Sequence, residues 1–202
     1  KIIKEIKKEK INGINVTVPF KKSIIPFVDE LTSAANSAQS VNTIFKKNNK
    51  IIGDNTDIAG FEKGLKHINY SVKNKKVFIL GAGGVAPSII VALKNLGAFK
   101  IILSNRTKEK AENLKNFYKD IEIVNWGEMT DFDMIINATS LGLKNTDEIK
   151  LKYNDLGPNK LFYDVIYNKK ETNFLKKAKL AGNKVENGKM MFIYQAQLAF
   201  KI

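Results

Sequence analysis

The chain has 202 residues, 44% of them hydrophobic, and this size and composition predict a folded globular protein and exclude a disordered one. The absence of cysteine excludes disulfides and thiolate sites, and with His67 as the only histidine we expect neither a metal site nor a Ser-His-Asp triad. The net charge of +14 would favour nucleic acid if it were clustered, but the lysines are spread along the whole chain without a recognition motif, so we expect no nucleic-acid partner.

The first third of the chain combines short strand and helix patterns. Residues 2–10 predict a short amphipathic helix. The segment INVTV is rich in β-branched residues and predicts a strand over Ile14–Val18 that ends at Pro19. After Pro26, the alanine-rich DELTSAANSAQS favours a helix. The strand patterns VNTIF and KIIGDN flank the turn sequence KKNN and predict a β-hairpin. TDIAGFEKGLKHI then has helical spacing, and we expect it to connect two domains.

From Lys75 onward, strand and helix patterns alternate. The strand patterns are KVFIL, KIILSN, IEIV, DMIINAT and LFYDVIY, and the helical patterns are VAPSIIVALKNLG, KEKAENLKNFY and ETNFLKKAKLAG. Such alternation predicts a parallel sheet with helices on both faces. The last segment, residues 189–202, is a largely apolar helical pattern that we expect to pack back on the first domain.

The stretch VFILGAGGVAPS places Gly81, Gly83 and Ala86 in G-x-G-x-x-A spacing between a predicted strand and a predicted helix. Glycines at such a turn let backbone amides approach a pyrophosphate, and the helix N-terminus favours its negative charge. An ordinary tight turn can show the same spacing. Here the strand, the loop and the helix come in the order that dinucleotide binding requires, so we predict a Rossmann-like domain.

The second strand of this region ends in SNRT, where an NAD-binding unit usually carries an acidic residue for the ribose 2′-hydroxyl. This chain has Asn105 and Arg106 there, and Arg106 is its only arginine. A 2′-phosphate requires a planar, cationic donor with several N–H groups, which arginine provides. We therefore predict NADP as the cofactor rather than NAD.

The segments NVTVPFK, AQSVNTI, GDNTD, GAGG, NRT, INATSLG, DVIY and YQA resemble, in this order, the shikimate dehydrogenase family. The resemblance implies an NADP-dependent oxidoreductase that reversibly reduces 3-dehydroshikimate to shikimate in chorismate and aromatic amino acid biosynthesis. It also implies an α/β fold with a Rossmann-like NADP-binding domain in residues 58–187. A smaller α/β substrate domain in residues 1–57 would be completed by the C-terminal helix, residues 188–202.

The resemblance also implies a role for each matching residue. Lys21 is implied as the catalytic lysine, with Asp57 as its partner carboxylate. The implied substrate-binding residues are Thr17, Asn42, Asp57 and Gln195. The implied cofactor-binding residues are Gly81, Ala82, Gly83, Gly84, Asn105, Arg106, Thr107, Tyr167, Gly188 and Met191.

Reduction of a ring ketone needs a proton donor, and both lysine and histidine can serve. His67 lies in the predicted connecting helix, apart from every motif, so we interpret it as a surface residue. We expect Lys21 to end a strand, where it would be held rigidly, and Asp57 follows a second strand-like segment that could bring it alongside. The alternative for Lys21 is an ordinary solvated lysine, and Asn42 and Gln195 could likewise be ordinary hairpin and helix-surface residues.

Two departures from the family pattern affect the substrate domain. The family begins with a strand and a serine-containing motif that contacts the substrate carboxylate, and nothing before Ile11 matches it. The usual tail after LAFKI is also missing, so we expect the sequence to be an N- and C-terminally truncated part of a longer enzyme with an incomplete substrate domain.

Other functions stay open at this point. One is a quinate/shikimate dehydrogenase of broader specificity, and another is a catalytically silent NADP-binding protein, against which the retained Lys21 and Asp57 argue. The expected partner is the small-molecule substrate, and a homodimer is left open. No apolar run is long enough to span a bilayer and the first residues lack a signal peptide's pattern, so we expect no membrane contact and a cytoplasmic location.

Overall fold

A computed structural model of the protein describes residues 2–144, 146–168 and 171–202. These residues form two sheets, one of four strands and one of six. Their helices are α1 Ile2–Lys7, α2 Phe20–Ser23, α3 Ser33–Ala38, α4 Asp57–His67, α5 Ala86–Asn95, α6 Lys108–Phe117, α7 Asn173–Leu180 and α8 Lys189–Phe200. None of the helices in the described ranges has the length and apolar character needed to cross a membrane.

The small sheet belongs to the first part of the chain. Its strands, in the spatial order β1-β3-β4-β2, are β1 Gly13–Asn15, β2 Glu30–Leu31, β3 Thr43–Lys47 and β4 Lys50–Asp54. The strands β3 and β4 pair antiparallel around Asn48 and Asn49, whose φ angles are 50° and 62°. Asparagine tolerates this left-handed conformation, which two-residue hairpin turns require. The predicted hairpin is confirmed.

Two predictions for this part of the chain were wrong. The predicted strand Ile14–Val18 ends at Asn15, because the chain turns away from β3 toward Pro19, which has no N–H to donate to a sheet. The predicted helix after Pro26 is divided into a 3₁₀ turn, the strand β2 and the helix α3. Thr32 caps α3 by accepting a hydrogen bond from the Ala35 N–H at 3.2 Å, and this sets where the helix begins.

The large sheet is parallel throughout, as predicted. Its strands, in the spatial order β10-β9-β8-β5-β6-β7, are β5 Lys76–Leu80, β6 Lys100–Ser104, β7 Glu122–Val124, β8 Met134–Asn137, β9 Leu161–Asp164 and β10 Lys184–Asn187. The edge strand β10 was not predicted, because its sequence KVEN lacks the continuous apolar run of the buried strands.

Each face of the large sheet carries its own hydrophobic cluster. Val77 and Ile79 of β5 belong to a cluster with side chains of α4, α5 and α8, whereas Phe78 and Leu80 belong to a cluster with α7. Successive side chains of a strand point to opposite faces, so a strand covered on both sides must be apolar throughout. The pattern KVFIL meets this requirement.

The last helix, α8, packs along α4, and two glycines of α4 face it. A Cβ atom added at Gly60 would lie 2.7 Å from the Gln195 Cβ and 3.0 Å from the Met191 carbonyl oxygen. A Cβ atom at Gly64 would meet nothing closer than 3.4 Å. The close approach of α8 to α4 therefore depends on Gly60, and this approach places Gln195 beside the start of α4.

We expect Gly60→Ala to destabilise the protein by about 1–2 kcal/mol, because overpacking at the helix contact outweighs the gain of about 1 kcal/mol from replacing a helical glycine. This loss corresponds to a fall in Tm of about 2–8 °C for a chain of this size. Gly64→Ala, one turn along the same helix, is the matched control and should leave the Tm unchanged or raise it. A Gly60→Ala variant as stable as Gly64→Ala would contradict the contact.

Candidate active site

Two adjoining cavities lie between the small sheet and the carboxyl ends of the strands of the large sheet. The glycine-loop cavity, of about 650 Å³, is lined by the loop after β5 and by residues that follow β6, β7, β8 and β9. The lysine cavity, of about 400 Å³, contains Lys21 and Asp57 in its wall. Both cavities are lined by Thr17, Val85, Val165 and Tyr167. Ligands in the two cavities would therefore meet at a shared wall.

Lys21 and Asp57 form a largely buried ion pair. The Lys21 Nζ donates a hydrogen bond to the Asp57 Oδ2 at 2.5 Å, and the two side chains are 12% and 8% exposed. Asp57 is the first residue of α4, where the helix N-terminus favours a carboxylate. The prediction that Lys21 ends a strand was wrong, since it lies in α2, but its carbonyl oxygen is fixed by the Val41 N–H at 2.8 Å.

Asn42 holds the other carboxylate oxygen of Asp57. Its Nδ2 donates to the Asp57 Oδ1 at 3.0 Å, and its Oδ1 accepts from the Thr56 N–H at 2.8 Å, which fixes the orientation of the amide. The same Nδ2 lies 3.4 Å from the Gln195 Oε1. The structure therefore brings to one cavity the four predicted substrate-binding residues, Thr17, Asn42, Asp57 and Gln195.

Asn55 connects the small sheet to the large one. Its Nδ2 donates to the Ser40 carbonyl oxygen at 2.8 Å and to the Ser88 Oγ of α5 at 2.9 Å, while its Oδ1 accepts from the Ile58 N–H at 3.2 Å. The Asn55 side chain is buried, and so is Ser88. One amide thus joins the segment between α3 and β3, the start of α4 and the helix that follows the glycine loop.

The glycine loop has the geometry and the free donors that a pyrophosphate needs. Gly81 has a φ of +105°, and a Cβ atom there would lie 2.7 Å from the Thr139 Cγ2, so only glycine fits. In the described part of the chain, the N–H groups of Gly83, Gly84 and Val85 have no acceptor, and all three residues line the glycine-loop cavity. These residues fit a dinucleotide cofactor, with the N-terminus of α5 favouring its charge.

Asn105 organises this loop from the end of β6. Its Oδ1 accepts from the Ala82 N–H at 3.0 Å, and its Nδ2 donates to the Thr107 carbonyl oxygen at 2.7 Å. Arg106, the next residue, is exposed and lines the glycine-loop cavity. Lys110 is also exposed and lines the same cavity. Lys110 was not predicted from the sequence; it lies in the first turn of α6, which begins two residues after Arg106.

The three remaining predicted residues, Tyr167, Gly188 and Met191, line the lysine cavity. A Cβ atom at Gly188 would come within 2.2 Å of the Val165 carbonyl oxygen, so this contact requires glycine. Tyr167 stacks on Phe192 with ring centroids 4.1 Å apart, and Met191 is buried beside them. Phe192 was missed because the apolar pattern of α8 does not distinguish a cavity-lining residue from a packing one.

Asp164 holds together two loops that line the glycine-loop cavity. It is fully buried and accepts hydrogen bonds from the Thr172 Oγ1 at 2.6 Å, the Asn137 Nδ2 at 3.0 Å and the Ile166 N–H at 3.1 Å. Burial raises the pKa of the Asp164 carboxyl, and these hydrogen bonds oppose that shift. The carboxyl thereby fixes the ends of β8 and β9 relative to each other.

Known protein families match most of the chain. Residues 1–44 match the shikimate dehydrogenase substrate-binding domain family, and residues 63–149 match the shikimate/quinate 5-dehydrogenase family. The NADP(+)-type shikimate dehydrogenase of Pelagibacter ubique is 62% identical over 201 residues, which cover 100% of this chain and 76% of that protein.

Solved structures give the same result. The shikimate dehydrogenase of Aquifex aeolicus superposes with a TM-score of 0.91 at 42% identity, over 99% of this chain and 74% of that one. A shikimate dehydrogenase crystallised in complex with NADP+ superposes with a TM-score of 0.89 at 36% identity, over 99% of this chain and 73% of that one.

We expect Asn55→Ala to destabilise the protein by about 1–3 kcal/mol, because it leaves buried hydrogen-bonding groups of Ser40, Ser88 and Ile58 without partners. Asn95→Ala is the matched control, since Asn95 also joins α5 to α4, through Glu62 at 2.9 Å, but is exposed. The control should lose less than about 0.5 kcal/mol. Denaturant unfolding of both variants measures the difference, and equal losses would contradict a special role for Asn55.

Proposed function

The chain belongs to the shikimate dehydrogenase family, and we propose how its residues carry out the reversible, NADPH-dependent reduction of 3-dehydroshikimate to shikimate. The observation that carries the proposal is the buried Lys21–Asp57 pair in a cavity that shares a wall with the glycine-loop cavity. A substrate beside Lys21 would thus lie next to a cofactor held by the glycine loop.

In the proposed mechanism, Lys21 moves the proton. NADPH, when held in the glycine-loop cavity, would supply the hydride for the carbonyl carbon. The Lys21 ammonium donates an N–H proton to the carbonyl oxygen, which becomes the hydroxyl of the product, and in the reverse direction the amine takes that proton back. Asp57 keeps the Nζ in one place, because its Oδ2 accepts from Lys21 while its Oδ1 is held by Asn42.

The polar side chains around this pair would bind the hydroxyl groups of the substrate. Asn42 directly precedes β3, and Gln195 belongs to α8. The two side chains therefore meet only when α8 lies against α4, and this contact closes the pocket. Thr17 lies on the wall shared with the glycine-loop cavity, which suits a contact near the reacting carbon. A polyhydroxylated ring needs several such fixed donors and acceptors, because each unpaired buried group weakens binding.

At the other end of the glycine-loop cavity, Arg106 and Lys110 would bind the 2′-phosphate of NADP. Arginine offers a bidentate fork and lysine a compact charge, and both bind phosphate strongly. The side chain of Asn105 is occupied by Ala82 and Thr107, so its proposed role is to hold the loop rather than to contact the phosphate directly.

Several finer expectations stay predictions. These are the division into residues 1–57, 58–187 and 188–202, a cytoplasmic location and a homodimer. Quinate also stays a candidate second substrate, because the family that matches residues 63–149 covers both compounds by name. Steady-state assays with shikimate and quinate in parallel would separate the two substrates.

We expect Lys21→Met to lower kcat by about 10²–10⁴-fold, because the variant keeps the apolar stem but has no proton to donate. NADPH affinity, measured by calorimetry, should stay within about twofold of the wild type, since Lys21 acts in the other cavity. Lys22→Met is the matched control, because Lys22 is the neighbouring residue and is exposed. Near-normal turnover of Lys21→Met, or equal damage by Lys22→Met, would refute the assignment.

We expect Arg106→Ala to weaken NADPH binding by about 10- to 100-fold and to leave NADH binding nearly unchanged, because only NADPH carries the 2′-phosphate. Lys110→Ala should show the same selectivity with a smaller loss. Lys108→Ala is the control, since Lys108 pairs with Glu112 at 3.8 Å and does not line the cavity. Equal losses for NADPH and NADH would show that Arg106 does not recognise the phosphate.

A further inference from the structure

The order of strands fixes the direction in which a dinucleotide must lie. The glycine loop follows β5, and the lysine cavity adjoins Val165 and Tyr167, which follow β9. Arg106 follows β6, on the opposite side of β5. The reacting end of the cofactor must therefore extend over β8 and β9, and its adenosine end over β6 toward β7, with adjacent strands about 4.8 Å apart.

At the adenosine end lies Trp126, which is the only tryptophan of the chain. It lies two residues beyond β7, lines the glycine-loop cavity together with Arg106 and Lys110, and is 37% exposed. In the part of the chain that the structure describes, its ring stacks on no other aromatic ring and its indole N–H donates no hydrogen bond. The large aromatic face is thus available to a ligand in the cavity.

The turn that carries Trp126 is rigidly held. Glu128 closes it, with its N–H donating to the Asn125 carbonyl oxygen at 3.1 Å and its carboxylate accepting from the Asn125 Nδ2 at 2.9 Å and the Asn125 N–H at 3.1 Å. Ser104, the last residue of β6, donates from its Oγ to the same carbonyl oxygen at 3.1 Å. The turn is therefore tied to the strand that leads directly into Asn105 and Arg106.

We propose that Trp126 is the stacking platform for the adenine of NADP(H). A purine is flat and has two π faces, so an aromatic ring held at a fixed position binds it without reading its hydrogen-bonding groups. The neighbouring cations Arg106 and Lys110 place the 2′-phosphate of the same adenosine at the entrance of this site. The inference rests on the proposed function, because it requires NADP in the glycine-loop cavity.

The first test needs no variant, because Trp126 is the only source of tryptophan fluorescence in the protein. Adenosine 2′,5′-bisphosphate contains the adenine and the 2′-phosphate but no nicotinamide. We expect it to quench the tryptophan emission in a saturable manner, whereas inorganic phosphate at the same concentration should not. Binding of the bisphosphate in calorimetry without any change in fluorescence would overturn the proposal.

The second test uses Trp126→Leu, which removes the aromatic face. We expect its affinity for adenosine 2′,5′-bisphosphate and for NADPH to fall by about 5- to 100-fold, with a smaller loss for Trp126→Phe. Turnover with reduced nicotinamide mononucleotide, which lacks the adenosine, should equal that of the wild type. Phe99→Leu is the control, because Phe99 is 70% exposed at the amino end of β6 and does not line the cavity.

The outcomes separate this inference from the proposed function. If the wild type binds neither NADPH nor the bisphosphate, the cofactor site itself is wrong, and the inference falls with it. If the wild type and Trp126→Leu bind the bisphosphate equally well, only the role of Trp126 is refuted. An equal loss of turnover with reduced nicotinamide mononucleotide would assign Trp126 a structural role and would also overturn the proposal.

Discussion

The start of α4 is the constraint on which the rest of the site depends. Three consecutive residues there bond to three different parts of the protein: Asn55 to Ser88 of α5, Thr56 to Asn42, which precedes β3, and Asp57 to Lys21 of α2. Because the residues are adjacent in the chain, none of these contacts can shift alone. The position of the ion pair relative to the glycine loop is therefore fixed, because Asp57 lies only two residues after Asn55, which bonds to the helix that follows the loop.

Burial of the Lys21–Asp57 pair is better explained by function than by stability. Removing two charges from water costs several kcal/mol per ion, and their attraction offsets this only when the geometry and the further hydrogen bonds are good. The pair meets these conditions through Asn42 and through the N-terminus of α4. What the arrangement gains is an ammonium held in one position beside a cavity, which proton transfer requires.

The sequence predicted those features that depend on local periodicity and turn chemistry. The parallel sheet follows from apolar runs such as Val77–Leu80, and the hairpin from Asn48 and Asn49. The segment around Pro19 was predicted less well, because pairing with β3 ends where the chain turns toward the large sheet, a tertiary effect that strand propensity does not contain. Trp126 was missed for a similar reason, since only the strand order brings the turn after β7 to the cavity beside the glycine loop.

The net charge of +14 suits anionic ligands but cannot select among them. Charges more than about 8 Å from an exposed site are largely screened at physiological ionic strength, so most surface lysines contribute only to long-range attraction. Selection must come from the few groups inside the two cavities. There the protein places its one arginine beside Lys110 at the nucleotide end, and neutralises Lys21 with Asp57 at the reacting end. The cationic surface can thus increase the rate of encounter, while recognition depends on the geometry of three basic side chains.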